Sequence, residues 1–163
     1  QAMADHFHSK GARRCAFVGG SHGTTADRQR GFATNLSLHG MPPPAIADSP
    51  FTYEGGRQVG RALLTAPNPP DAIFCGNDLI AIGCLDTARE LGLDVPGDVM
   101  IAGFDDIPEA GWYGNSLTTF AQSDPSMVDA SIRILQDLAE KKTMKSTRSV
   151  VPVTLIERTT TNR

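Results

Sequence analysis

The sequence has no block of lysine or arginine long enough to form a basic arm: 15 basic residues face 18 acidic ones, for a formal charge of −3. That balance gives the stretch no electrostatic footprint for nucleic acid on its own. No apolar run approaches the roughly 20 residues of a membrane-spanning helix. Cysteine is limited to Cys15, Cys75 and Cys84, with no C-x-x-C pair. All three fall in apolar runs and read as small buried hydrophobes of a reducing compartment, not as a disulfide framework. Histidine is also scarce. His6 and His8 are two apart, while His22 and His39 stand alone, so metal-ligand spacing is missing. The opening QAMADHFHSKG lacks the apolar stretch of a secretory signal, so the expected location is the cytoplasm.

What is present is enough chain, 163 residues, for one ordinary domain with its own core. Short β-rich runs alternate with helical patterns, the signature of a parallel sheet wrapped by helices. Residues 15–20 (CAFVGG) read as a buried strand. A helix from about Ala26 sets Phe32 and Leu36 on one side, with Thr24 or Thr25 as its cap and Gly40 as its stop. After the proline loop 41–44 comes a short strand at 45–47, leading to Phe51. Residues 54–66 predict a helix that buries Val59, Ala62 and Leu63 and ends at Pro67. Strands follow at 71–76 and 99–103, separated by a helix over 78–91 that Asn77 caps and Gly92 ends.

The first half of that helix, LIAIGCL, is apolar almost all round, and its second apolar face asks for a partner beyond the sheet, such as another subunit. Residues 104–116 read as an irregular loop and 117–120 as extended chain. Asp124 and Pro125 open a further helix in the N-cap and first positions. It carries Met127, Val128, Ser131, Ile134, Leu135 and Leu138 along one stripe. A last strand spans 150–156 and a polar tail 157–163. The fold class is α/β, with a doubly wound, mostly parallel sheet flanked by helices.

In such sheets ligands collect beyond the carboxyl ends of the strands. Three ends carry polar groups here: Arg28 after the first strand, Asn77 and Asp78 after DAIFCG, and Asp105 and Asp106 after VMIAG. A charged donor, an amide and carboxylate acceptors together suit a neutral ligand rich in hydroxyls, each of which gives and takes hydrogen bonds. Phe51 offers a ring face for the apolar side of a sugar. Plain structural roles compete at every position: a solvated Arg28, Asn77 as a helix cap only, Asp105 and Asp106 as turn residues, Phe51 as core. The cluster Gly19-Gly20-Ser21-His22-Gly23 lacks both the dinucleotide spacing and the P-loop lysine, so no cofactor is expected. It does match G-x-S-x-G. A hydrolase of that kind needs a downstream acid followed by histidine, and the last histidine is His39, which excludes it. The chain is not expected to be an enzyme.

Five segments, in order, resemble the lactose-repressor (LacI) type of bacterial transcription regulator. KGARRCAFVGG resembles the family's opening strand, and ADRQRGFATNL its "R-x-x-G-F" helix start. PPDAIFCGNDLIAIGCLDTARELGLDVPGDVMIAGFDD resembles its most specific block almost position by position. LTTFAQSDPSMV and VVPVTLIERTTTNR resemble its closing motifs. Two departures stand out: Ala12 replaces the family's histidine, and Asn115 and Ser116 replace its paired prolines.

The resemblance implies a two-lobed sensor, similar to periplasmic sugar-binding proteins, that couples a small-molecule effector to operator affinity. Effector contacts fall on Arg28, Phe51, Asn77, Asp78, Asp105 and Gln122, and a homodimer interface on Leu79, Ile80, Ile82, Gly83 and Tyr113. It further implies that residues 1–10 end a first-lobe helix and that 11–121 form the second lobe. Residues 122–152 return to a largely absent first lobe, and 153–163 are the final strand end and tail. The DNA-binding domain would lie outside this chain. With the first lobe missing, the stripe on 124–141 is expected to seek association between copies or a swapped element. The competing expectation is a secreted sugar-binding protein of related fold.

Overall fold

In the computed structural model, residues 1–20, 23–122, 124–140 and 150–163 are described, apart from the side chains of Thr24, Asp124 and Ser126. Ser21, His22 and Lys141, and the proposed capping groups of Thr24 and Asp124, lie outside that set. Strands β1 (Cys15–Gly19), β2 (Ala45–Asp48), β3 (Ala72–Cys75) and β4 (Met100–Ala102) form one parallel sheet in the order β2-β1-β3-β4. β5 (Thr119–Gln122) continues it beyond β4, where Gly103 N donates to Thr118 O at 2.9 Å and Asp105 N to Phe120 O at 3.0 Å. β6 (Val153–Ile156) then pairs with β5 antiparallel.

The two-residue period of a strand sends alternate side chains to opposite faces, and both faces are dry here. Ala16, Val18, Ile73, Cys75 and Ile101 enter one core with Ile80, Cys84 and Leu85. Cys15, Phe17, Phe74 and Met100 enter the other with Phe32 and Leu36. The first core is covered by α3 (Tyr53–Leu64) and α4 (Asp78–Glu90), the second by α1 (Ala2–Ser9) and α2 (Gly23–Leu38). All three cysteines are free and buried. Helix ends follow the local chemistry. Asn77 Oδ1 accepts from Ile80 N at 3.0 Å, while Gly40 and Gly92 take positive φ just past the last turns of α2 and α4.

α1 packs on this core through Met3, Ala4 and Phe7. Several expectations are corrected. α2 begins at Gly23, which puts Thr25 inside the helix and buried, not at its cap. α3 is capped by Thr52 and buries Gly55, Gly56, Gly60 and Leu64, whereas Ala62 is exposed. Its glycines let α4 come backbone to backbone: a Cβ on Gly56 would lie 2.2 Å from Ile80 O, and one on Gly83 2.2 Å from Tyr53 O. The second apolar face of α4 is therefore taken by α3, within the chain.

Inside the 104–116 loop sits a helical turn, Pro108–Gly111, that buries Ala110. The tail is not a solvated appendage. Its turn Thr159–Thr161 buries Thr160 and Thr161, the latter at 0% exposure. Thr161 Oγ1 lies 2.8 Å from both Thr118 Oγ1 and His6 Nε2, and Thr160 Oγ1 accepts from Thr118 N at 2.9 Å, so both buried hydroxyls have partners. α5 (Asp124–Ala139) stands apart, with Met127, Val128, Leu135 and Leu138 exposed, Leu135 at 64%. No helix among the described residues is long and apolar enough to cross a membrane.

Candidate functional site

The carboxyl ends of β1, β3 and β4 open on one edge of the sheet, and α2 sends Arg28 across it. Arg28 Nη1 donates to Gly76 O at 2.6 Å, and its guanidinium carbon lies 3.4 Å from the centroid of the Phe104 ring. A flat, weakly hydrated cation is suited to that position against a ring face. Burial pulls the Arg28 pKa down from its ordinary value, and the nearby Asp105 carboxylate works against the shift. Asp105 in turn accepts from Gln122 Nε2 at 2.7 Å. Partial loss of hydration raises its pKa, opposed by Arg28 and by the Gln122 bond. Arg28, Asp105 and Gln122 are therefore brought together.

Asn77 follows Gly76 directly at the same edge. Its helix-capping bond uses only the side-chain oxygen, so the cap is real and leaves the amide nitrogen out of it. Phe51 is 43% exposed and lies over the glycines that end β1 and β3. A Cβ on Gly20 would sit 3.1 Å from its ring, and one on Gly76 3.3 Å, so both positions must stay bare for the ring to settle there. Beside the cleft, a pocket of about 220 Å³ is lined by residues that include Asp27, Arg28, Phe32, Phe74, Phe104 and Phe120. Arg28 and Phe104 form the wall shared between the two.

Asp78 does not join them. It is 0% exposed, and its carboxylate accepts from Thr119 Oγ1 at 2.5 Å and from Ile107 N at 2.9 Å. Burial raises its pKa, and those two bonds oppose the rise. Asp78 thus ties α4 to β5 and to the chain after β4, beneath the cleft and not in it. The expected interface set also divides. Ile80 (0% exposed), Ile82 and Gly83 are buried in this chain's own core, whereas Leu79 is exposed and Tyr113 fully so, at 102%. The neighbouring Trp112 is exposed as well.

Three contributors escaped the sequence reading: the Gly76 carbonyl, the Phe104 ring and Arg158, which donates to Asp106 Oδ1 at 2.7 Å. Phe104 alone left a signal, as an aromatic immediately before the acidic pair. Among the described residues, no cluster of three or more histidine, cysteine or acidic side chains is arranged to hold a metal ion.

A parallel sheet with helices on both faces and a polar cleft at its carboxyl edge defines a lobe of the periplasmic-binding-protein class. The chain belongs to the family of periplasmic binding protein-like domains, whose model matches residues 4–161, and within it to the LacI/GalR type. The HTH-type transcriptional repressor PurR of Escherichia coli is 34% identical over 137 residues, which cover 83% of this chain and 40% of PurR. The chain thus spans well under half the length of that curated relative. A LacI transcriptional regulator from a Rhodococcus species superposes with a TM-score of 0.89 at 29% identity, covering 98% of this chain and 60% of that one. The lac repressor dimer bound to operator and the anti-inducer ONPF gives 0.89 at 26% identity, covering 98% of this chain and 48% of that one. These relatives are named as transcription regulators and not as enzymes.

Proposed function

We propose that this chain is the effector-sensing region of a cytoplasmic LacI-type transcriptional repressor. It takes a small polar metabolite, a sugar, between Phe51, Arg28, Asn77, Asp105 and Gln122. It carries no enzyme activity, forms a homodimer through the exposed Leu79, Trp112 and Tyr113, and reaches operator DNA through a separate domain. The observation that carries this reading is the placement of Arg28: fixed on Phe104 and on Gly76 O, it faces Asp105 across an open edge. A donor and an acceptor held opposite one another can bind a pair of vicinal hydroxyls, and the Phe51 ring can cover the apolar side of the same sugar.

The exposed stripe of α5 suits the rest of a first lobe, to which residues 122–152 would return. Effector would then act by population shift, favouring one lobe orientation by no more than its differential affinity for the two. Without that lobe, the stripe drives copies together.

A thermal-shift panel of monosaccharides and nucleobases on the complete protein tests the reading, followed by calorimetry of any hit. Arg28→Ala should weaken the hit by roughly 10- to 150-fold, the worth of a charge-assisted hydrogen bond, with the fold retained. Unchanged affinity would remove Arg28 from the site. The family of periplasmic binding protein-like domains also supports a second reading, a secreted sugar receptor. The complete gene separates the two: an encoded helix-turn-helix domain supports the repressor, and a leader peptide the receptor.

A further inference from the structure

Asp105 and Asp106 take φ values of 125° and 55°, two consecutive non-glycine residues outside the usual backbone regions. Such a conformation persists only where the surroundings over-determine it. Four groups do so here. The Asp105 N–H is held by Phe120 O at 3.0 Å, and the Ile107 N–H, just past the pair, by the buried Asp78 carboxylate at 2.9 Å. The third is Arg158, whose Nη2 donates to Asp106 Oδ1 at 2.7 Å. The fourth is Gln122, whose Nε2 donates to Asp105 Oδ1 at 2.7 Å, so that Gln122 grips the first side chain of the strained pair and Arg158 the second.

Arg158 is a rigid grip because it is fixed from behind. Its Nη1 donates to Leu117 O at 2.7 Å and its backbone N–H to Thr118 Oγ1 at 2.9 Å. The turn that follows it, Thr159–Thr161, buries two threonines in the Thr118 network. A guanidinium suits this task better than an ammonium, since its planar fork serves the Leu117 carbonyl and the Asp106 carboxylate at once.

We infer that Arg158 is a positioning residue for the cleft: through Asp106 it holds the turn in the conformation from which Asp105 meets Arg28 and Gln122. The inference deepens the proposed effector site, on which its functional meaning rests, and assigns the far end of the chain a part in shaping it.

The test is NMR spectroscopy of the whole chain, with no ligand added, comparing Arg158→Met, Arg158→Lys and Asp106→Asn with the parent. In the parent, the Arg28 Nε–H signal should be displaced by the ring current of Phe104. In Arg158→Met it should move to the position of a solvated arginine. The titration of the Asp105 carboxyl carbon should shift down toward the ordinary aspartate range as that group gains water. Asp106→Asn should produce the same changes in smaller measure, and Arg158→Lys should restore part of the parent spectrum, whereas a mere anchor of the tail would leave both signals in place. Parent-like Arg28 and Asp105 signals in Arg158→Met would overturn the inference. Should that variant fail to fold, Asp106→Asn, which keeps shape and acceptor but loses the charge, decides in the same way. Because neither signal needs an effector, failure of the sugar panel leaves this result standing, and failure here leaves the panel standing.

Discussion

Gly83→Ala, in the middle of α4, puts helix propensity and packing in direct opposition. In a free helix the change should stabilise by about 1 kcal/mol, since alanine sheds less backbone entropy on folding. Here the new Cβ would lie 2.2 Å from Tyr53 O, 2.8 Å from Arg57 N and 3.0 Å from Gly56 C. All three are backbone atoms of α3 and none can swing aside. The helices must part, loosening the contact that Ile80 and Cys84 make across the same interface. Overpacking of this kind costs ~1–3 kcal/mol, and a contact this short belongs in the upper half of that range.

Net of propensity, Gly83→Ala should destabilise by about 1–2 kcal/mol and lower the melting temperature by roughly 2–8 °C in a domain of this size. Gly31→Ala is the matched control. It too lies inside a helix, α2, but its new Cβ would meet nothing within 4 Å, so it should raise the melting temperature by roughly 2–4 °C. Differential scanning calorimetry of both variants suffices. A Gly83→Ala protein that melts at or above the parent would refute the close α3–α4 approach. A Gly83→Ala protein of unchanged stability but altered sedimentation would return the residue to an interface between copies.

Two further outcomes follow from buried ionisable groups. Asp78→Ala leaves the Ile107 N–H and the Thr119 hydroxyl without an acceptor, at ~1–3 kcal/mol each, and should lower the melting temperature by roughly 4–24 °C. Asp78→Asn keeps an acceptor and should lose less. Burial raises the Asp78 pKa, so its stabilising share is whole below the ordinary aspartate pKa and is lost as pH rises through the folded value; urea titrations of Asp78→Asn should lack that decline. His6 has the opposite sign. Burial lowers its pKa, so its share is whole above the ordinary value of 6.5 and is lost as pH falls below it toward the folded pKa. Urea unfolding from about pH 8 to 5 should show a steeper acid loss in the parent than in His6→Leu, and parallel curves would assign the loss to other groups.

Much of the architecture was legible because burial on both sheet faces leaves unbroken apolar runs, as in AIFC and MIA, and because Gly40, Asn77 and Gly92 mark helix ends by backbone chemistry. Reading failed where contact is made by something other than an apolar side chain. α3 packs through Gly56 and Gly60, and a glycine contributes nothing to a hydrophobic stripe, so the partner of α4 was sought outside the chain. Thr160 and Thr161 looked solvated because the groups that satisfy them, the Thr118 amide and hydroxyl and the His6 imidazole, are distant in sequence. Asp78 stands where a site carboxylate and a buried tie look alike. Only Thr119 and the Ile107 amide, which sequence spacing cannot place, distinguish them. Arg28 and Asp105 were legible because each follows the carboxyl end of a strand, and Gln122 was named only through the family resemblance.

The bond between His6 and Thr161 joins positions 155 apart in the chain. Closing so large a loop costs only ~0.6 kcal/mol more for each doubling of its length, so the penalty in equilibrium stability is modest. The kinetic consequence is larger, since non-local pairings are reached late in folding. The α3–α4 hairpin and the strands beside it can assemble from near neighbours. Met3, Ala4 and Phe7 find their seat beside the sheet, but the hydroxyl chain that locks their helix to Thr118 waits for Thr161. Helix α1 is therefore fully fastened to the lobe only once Thr161 has been made and has reached it.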